Sequence, residues 1–71
     1  MKLEEAMKLY PIITTHTDVI PCWYFLGDKF IFYLPAHPLY GWYGEYPGIT
    51  KSIEFGENEE SAVAWLIKDG V

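Results

Sequence analysis

Few side chains in this chain can take part in covalent chemistry, and they are scattered along it. Cys22 is the one cysteine, and the two histidines are His16 and His37. Either imidazole could activate the thiol as a nucleophile if the fold brought the two together. A single cysteine inside an apolar run, however, packs far more often as a small hydrophobic side chain. The sequence therefore predicts no catalytic residue and a protein that is not an enzyme.

Metal ligands are equally sparse. His16, Asp18 and His37 offer suitable atoms, but no cysteine pair and no HExxH pattern accompanies them. We predict neither a metal nor a cofactor. The acidic residues around Asn58 are explained by a helix start, because the amide caps free backbone N–H groups and carboxylates complement the helix dipole.

Residues 35–49 carry the one constellation whose composition indicates binding. The segment PAHPLYGWYGEYPGI contains three prolines and three glycines, which favours a long loop over a helix. Tyrosine and tryptophan offer large contact areas together with a polar group. The predicted ligand- or partner-binding residues are His37, Tyr40, Trp42, Tyr43 and Tyr46. Two other interpretations stay open: a lid packed on the core or across a dimer, and a short strand over residues 39–43.

A predicted β-hairpin over residues 21–34 positions this segment. Gly27 and Asp28 separate two apolar runs and suit a two-residue turn that places Phe25 opposite Phe30. Because side chains alternate across a strand, the hairpin has two faces. The predicted core face carries Trp23, Phe25, Phe30, Phe32 and Leu34. The opposite face carries Cys22, Tyr24, Leu26, Lys29, Ile31 and Tyr33. A slip of one residue at the turn would exchange the two faces.

Apolar periodicity predicts a short helix at each end of the chain. In residues 2–10 one stripe is formed by Leu3, Ala6, Met7 and Tyr10. The second helix follows its cap at Asn58, ends near Gly70, and has a buried stripe formed by Ala62, Val63, Leu66 and Ile67. Both stripes are expected to lie on one face of the sheet.

Two further segments read as extended. Residues 12–19 are rich in β-branched side chains, and residues 50–55 alternate as an edge strand does, with Lys51 a suitable edge residue. The predicted fold class is therefore α+β, a single small domain spanning residues 1–71. It comprises an antiparallel sheet of three to four strands with two short helices on one face, in the order α-β-β-β-α.

Composition limits the classes of partner. The net charge is −5 and arginine is absent, which argues against nucleic acid and leaves a basic partner open. With 51% apolar residues in 71, some apolar surface must stay uncovered, so we expect a homodimer or a larger oligomer. The predicted oligomer interface is formed by Tyr24, Leu26, Ile31 and Tyr33.

The same reasoning bears on location. The N-terminal residues lack the apolar core of a signal peptide, and the longest apolar run is too short to span a bilayer. A single cysteine suits a reducing compartment. We therefore expect a cytoplasmic protein with no membrane partner.

The sequence thus favours a non-catalytic, oligomeric binding protein whose residues 35–49 bind or sequester a small planar or nucleotide-like ligand. In small size, acidity and aromatic content the chain resembles viral counter-defence proteins, including those that sequester nucleotide signals. The resemblance is one of style, carried by no residue motif, and it implies a sequestering function. The alternative is an acidic inhibitor or adaptor that engages a larger protein through the same segment. A compact pocket would favour the ligand, and a flat, exposed loop with the acids Glu45, Glu54 and Glu57 beside it would favour the protein.

Overall fold

The computed structural model describes residues 1–18, 21–35, 38 and 40–68. Its elements are α1 (Leu3–Leu9), β1 (Thr14–His16), β2 (Trp23–Leu26), β3 (Lys29–Leu34), β4 (Gly41–Glu45), β5 (Ile53–Gly56) and α2 (Glu59–Ile67). The strands form one antiparallel sheet in the order β1-β2-β3-β4-β5. The predicted α+β class is confirmed, but the sheet has five strands rather than three or four.

The β2–β3 hairpin has the predicted register. Phe25 lies opposite Phe30 and Leu26 opposite Lys29, with Gly27 and Asp28 in the turn. Gly27 has a φ of 63°, a left-handed conformation in which glycine alone among the residues carries no Cβ penalty. Local turn chemistry therefore sets which residues of the two strands face each other.

The predicted core face of the hairpin is wrong. Leu26 and Ile31 are buried at 4% and 0% exposure beneath α2, whereas the aromatic residues assigned to the core lie on the opposite face. Both faces of the hairpin are apolar, and the helices pack on the face that carries Leu26 and Ile31. The buried stripe of α2 is formed by the small or aliphatic residues Ala62, Val63 and Leu66. At Gly44 of β4 an added Cβ would lie 2.7 Å from Cζ3 of Trp65, so the Trp65 ring of α2 fills the space above this glycine.

This exchange of faces also corrects the predicted oligomer interface. Leu26 and Ile31 belong to the core of the monomer and cannot reach a second chain. Tyr24 and Tyr33 are half-buried at the far end of the same face, beside Trp42. The apolar surface that the helices leave uncovered is on the other side of the sheet.

Residues 35–49 do not form one long loop. Residues 41–45 are β4, a central strand between β3 and β5, close to the alternative of a strand over residues 39–43. The predicted edge strand is confirmed as β5, although it begins at Ile53 rather than Thr50. In the segment predicted as extended over residues 12–19, only Thr14–His16 pair with the sheet among the residues described.

The helices match their predictions closely at their starts. Oδ1 of Asn58 accepts a hydrogen bond from the Ser61 N–H at 2.9 Å, which confirms the cap of α2. The backbone N–H of Leu3 donates to the Glu59 carboxylate at 2.7 Å, and α1 packs against α2. Gly70, the predicted end of α2, lies outside the described residues. None of the helices in the described ranges is long and apolar enough to cross a membrane.

Candidate binding surface

The sheet face turned away from the helices is aromatic, and we call it the open face. It is formed by Trp23 and Phe25 of β2, Phe30 and Phe32 of β3, and Tyr43 of β4. Trp23 is 37% exposed, and the other four rings are half-buried. Both helices contribute their buried residues to the core on the opposite side. Five large rings therefore shield one another only in part.

The rings of the open face contact one another in an unbroken strip across three strands. The ring centroids of Phe25 and Phe30 are 4.8 Å apart, and those of Trp23 and Phe30 are 5.4 Å apart in a stacked arrangement. Phe32 and Tyr43 stack at 5.6 Å with an interplanar angle of 16°. Such distances are those of favourable aromatic pairs, so the strip is preorganised.

The edges of the open face are polar and differ in charge. On β1, Thr14 and His16 lie opposite Phe25 and Trp23, and the His16 ring meets Phe25 edge-on at 5.1 Å. At the other edge the neighbours are carboxylates. Glu45 lies opposite Phe30 and Glu54 lies opposite Tyr43. The open face therefore has one acidic edge, on the β4–β5 side.

A groove lies where the open face meets the hairpin turn, and we call it the tip groove. Its volume is about 560 Å³. It runs between the turn and the segment after β4, and its aromatic lining is formed by Phe25, Phe30 and Tyr46. Its charged and polar lining includes Asp28, Glu45, Lys51 and Ser52. The Ser52 hydroxyl donates a hydrogen bond to the Glu45 carboxylate.

A smaller cleft of about 320 Å³ lies on the helix side of the sheet, at the far end of the hairpin. Trp42 lines it with Tyr24 and Tyr33, and the Tyr33 and Trp42 centroids are 5.3 Å apart. Burial raises the pKa of the Tyr24 hydroxyl, and the adjacent Cys22 and then Glu59 raise it further. The phenol therefore stays protonated in neutral solution.

The structure does not bring the predicted binding residues together. Trp42 and Tyr43 are consecutive in β4, so Trp42 faces the helix side and Tyr43 the open face. Tyr46 is 45% exposed near Trp65 and lines the tip groove, and Tyr40 is 42% exposed. The fifth, His37, lies outside the described residues.

Four residues of the open face escaped prediction as a surface because their rings were assigned to the core. They are Trp23, Phe25, Phe30 and Phe32. One signal in the sequence was Gly44, because a glycine inside a strand can mark the face on which another element packs closely. Here Trp65 of α2 packs on that face of β4. In the part of the chain that the structure describes, no group of three potential ligands is placed to hold a metal ion.

Comparison with protein-family models, with curated proteins and with solved structures finds no match to this chain.

Proposed function

We propose that this chain is a non-catalytic protein-binding module that docks its open face onto another protein. One observation carries the proposal: five rings in mutual contact on a sheet face opposite both helices. A contiguous apolar surface that stays partly exposed, as these rings do, is typical of interaction sites on small proteins. Aromatic residues also dominate the binding energy of protein interfaces.

The layout of the open face suits a protein partner. Interfaces typically combine an apolar centre with a polar rim, and here the ring strip is flanked by Thr14 and His16 on one edge and by Glu45 and Glu54 on the other. The rings already stack on one another, so they lose little side-chain freedom on binding.

Charge defines the chemistry of the partner. The chain carries a net charge of −5, and the acidic edge adds a local negative field beside the rings. A surface with a basic rim around an apolar centre complements both features and gains in association rate. Nucleic acid also stacks on aromatic sheet faces, but its phosphates would meet carboxylates here rather than arginines.

A small planar ligand, the first expectation from the sequence, has weaker support. That proposal needs the rings of residues 40–46 to converge, and Trp42 and Tyr43 lie on opposite sides of β4. The ring strip with Glu45 and Glu54 beside it combines an apolar centre with a polar edge, which suits a protein partner. The proposed role is accordingly that of an inhibitor or adaptor.

Site-specific photo-crosslinking tests this role. A photoreactive phenylalanine analogue replaces Phe32 on the open face, and the matched control carries the same analogue at Ala64, an exposed position on α2. In the cells that make the protein, we expect the Phe32 position alone to crosslink to a distinct basic protein. Crosslinking only to a second copy of the chain would reassign the open face to self-association and contradict the proposal.

Purified components complete the test. The partner identified by crosslinking is purified and titrated separately with the wild-type chain, with Phe32→Ser and with Ala64→Ser. We expect Phe32→Ser to weaken binding by about thirtyfold or more, as the loss of an interface hot spot does. Equal affinities of the wild type and the two variants for the partner would contradict docking through the open face.

A further inference from the structure

The tip groove is continuous with the open face because Phe25 and Phe30 belong to both, and Glu45 of the acidic edge also lines the groove. A protein docked on the open face therefore meets the groove at the end of the ring strip. Its volume of about 560 Å³ lies within the range of specific binding pockets. The groove is large enough to receive a long side chain.

The lining of the groove combines two features that select a planar cation. Phe25, Phe30 and Tyr46 line the groove, and aromatic rings attract cations. Beside them stands the Glu45 carboxylate, opposite Phe30 across the strand pair and oriented by the Ser52 hydroxyl. A carboxylate has about four lone-pair sites, so this bond leaves acceptors for a forked donor.

The remaining charges of the groove leave it negative. Asp28 at the hairpin turn adds a second carboxylate, and Lys51 adds one ammonium group. The two carboxylates outnumber that single cation. An anionic ligand would therefore be opposed, and a cationic one favoured.

We propose that the tip groove receives an arginine side chain of the partner protein, stacked on Phe30 and paired with the Glu45 carboxylate. This inference rests on the proposed protein-binding function and adds a specific chemistry to it. A guanidinium group is planar, stacks on aromatic faces and pairs with a carboxylate through two parallel N–H bonds. A lysine ammonium group is a compact point charge that stacks less well on rings and does not form this paired bond. The chain contains no arginine, so a second copy cannot supply the group.

The test uses capped amino acids as probes, so it does not depend on knowing the partner. Nα-acetyl-arginine amide and Nα-acetyl-lysine amide are titrated into the isotope-labelled chain, and backbone amide shifts are followed by NMR. We expect the arginine probe to shift amides around Phe30, Glu45 and Ser52, with an affinity about tenfold above that of the lysine probe. Equal responses to the two probes, or shifts confined to other regions, would overturn the inference.

Two variants of equal charge locate the contact. Glu45→Gln removes the proposed carboxylate, and Glu4→Gln removes an exposed carboxylate on α1. We expect a loss of about tenfold in arginine affinity for Glu45→Gln and none for Glu4→Gln. An unchanged affinity of Glu45→Gln would also overturn the inference. If Glu45→Gln fails to fold, the comparison of arginine with lysine on the wild type still decides.

The inference and the proposed function fail separately. If the arginine probe does not bind the groove while the Phe32 position still crosslinks to a basic protein, the inference is wrong and the docking function stands. If the probe binds as expected while the Phe32 position crosslinks to nothing, the arginine site stands but the protein-binding role of the open face is contradicted.

Discussion

Lys29 joins the hairpin to the end of α2, and replacing it with methionine tests how the small fold is held together. Its Nζ donates to the backbone oxygens of Trp65 at 2.6 Å and Lys68 at 2.8 Å. The same ammonium group lies 4.8 Å from the centroid of the Trp65 ring. The last turn of α2 has no basic residue of its own. Lys29 therefore supplies from the sheet the positive charge that a helix C-terminus favours.

The size of the effect follows from these contacts. A hydrogen bond from a charged donor contributes about 1.5–3 kcal/mol, and the bond to Lys68 is exposed and so worth less. The helix dipole adds about 0.3–1 kcal/mol and the cation–π contact about 0.5–1 kcal/mol. Freeing the side chain on removal of the ammonium group returns up to about 2 kcal/mol of rotamer entropy. We expect Lys29→Met to reduce the free energy of unfolding by about 1–3 kcal/mol.

A thermal melt followed by circular dichroism measures this loss. For a domain of this size, about 1–3 kcal/mol corresponds to a fall in Tm of roughly 5–20 °C. The control is Lys8→Met, which removes an exposed ammonium group from α1. Methionine keeps an apolar stem of similar length, and both variants lose one positive charge. The comparison of the two variants therefore isolates the contacts that Lys29 makes with the end of α2. A Tm of Lys29→Met equal to that of Lys8→Met would show that Lys29 does not stabilise the C-terminal end of α2.

Two further predictions concern packing on the helix side of the sheet. Gly44→Ala should destabilise the fold by roughly 1–3 kcal/mol, because the new Cβ would lie 2.7 Å from Trp65; an unchanged urea midpoint would contradict this close approach. Ile31→Ala should cost about 2–5 kcal/mol and Phe32→Ala clearly less, because Ile31 is fully buried and Phe32 is not; equal losses would contradict the assignment of the two faces.

What the sequence predicted well is local. The Gly27-Asp28 turn determines the hairpin register, and Asn58 determines the start of α2, because both depend on residues within a few positions. The choice of core face is not local. Both faces of the hairpin are apolar, so its own residues do not choose between them. The choice depends on the face that the helices cover, which is a matter of contacts between distant segments such as that of Trp65 with Gly44.

The glycines of residues 35–49 misled for a related reason. Their number predicted a long loop, yet Gly41 and Gly44 lie within β4. Gly41 has a φ of 133°, and an added Cβ would lie 2.9 Å from the Gly56 carbonyl oxygen. Both glycines thus mark places where another part of the chain comes close. A glycine can therefore indicate the close approach of another segment to a strand as readily as it indicates a loop.

The aliphatic composition of the interior supports the proposed binding role of the aromatic residues. Its largest fully buried side chains are Ile31, Leu66 and Val63, so the core is aliphatic. Yet 18% of the chain is aromatic, and the rings of the open face remain partly in contact with water. A sheet that needed only one buried face would be served by polar residues on the other. The open face has rings where such a sheet would have polar side chains. Under the proposed docking function, a partner that covers these rings would give them a role that folding of the monomer does not.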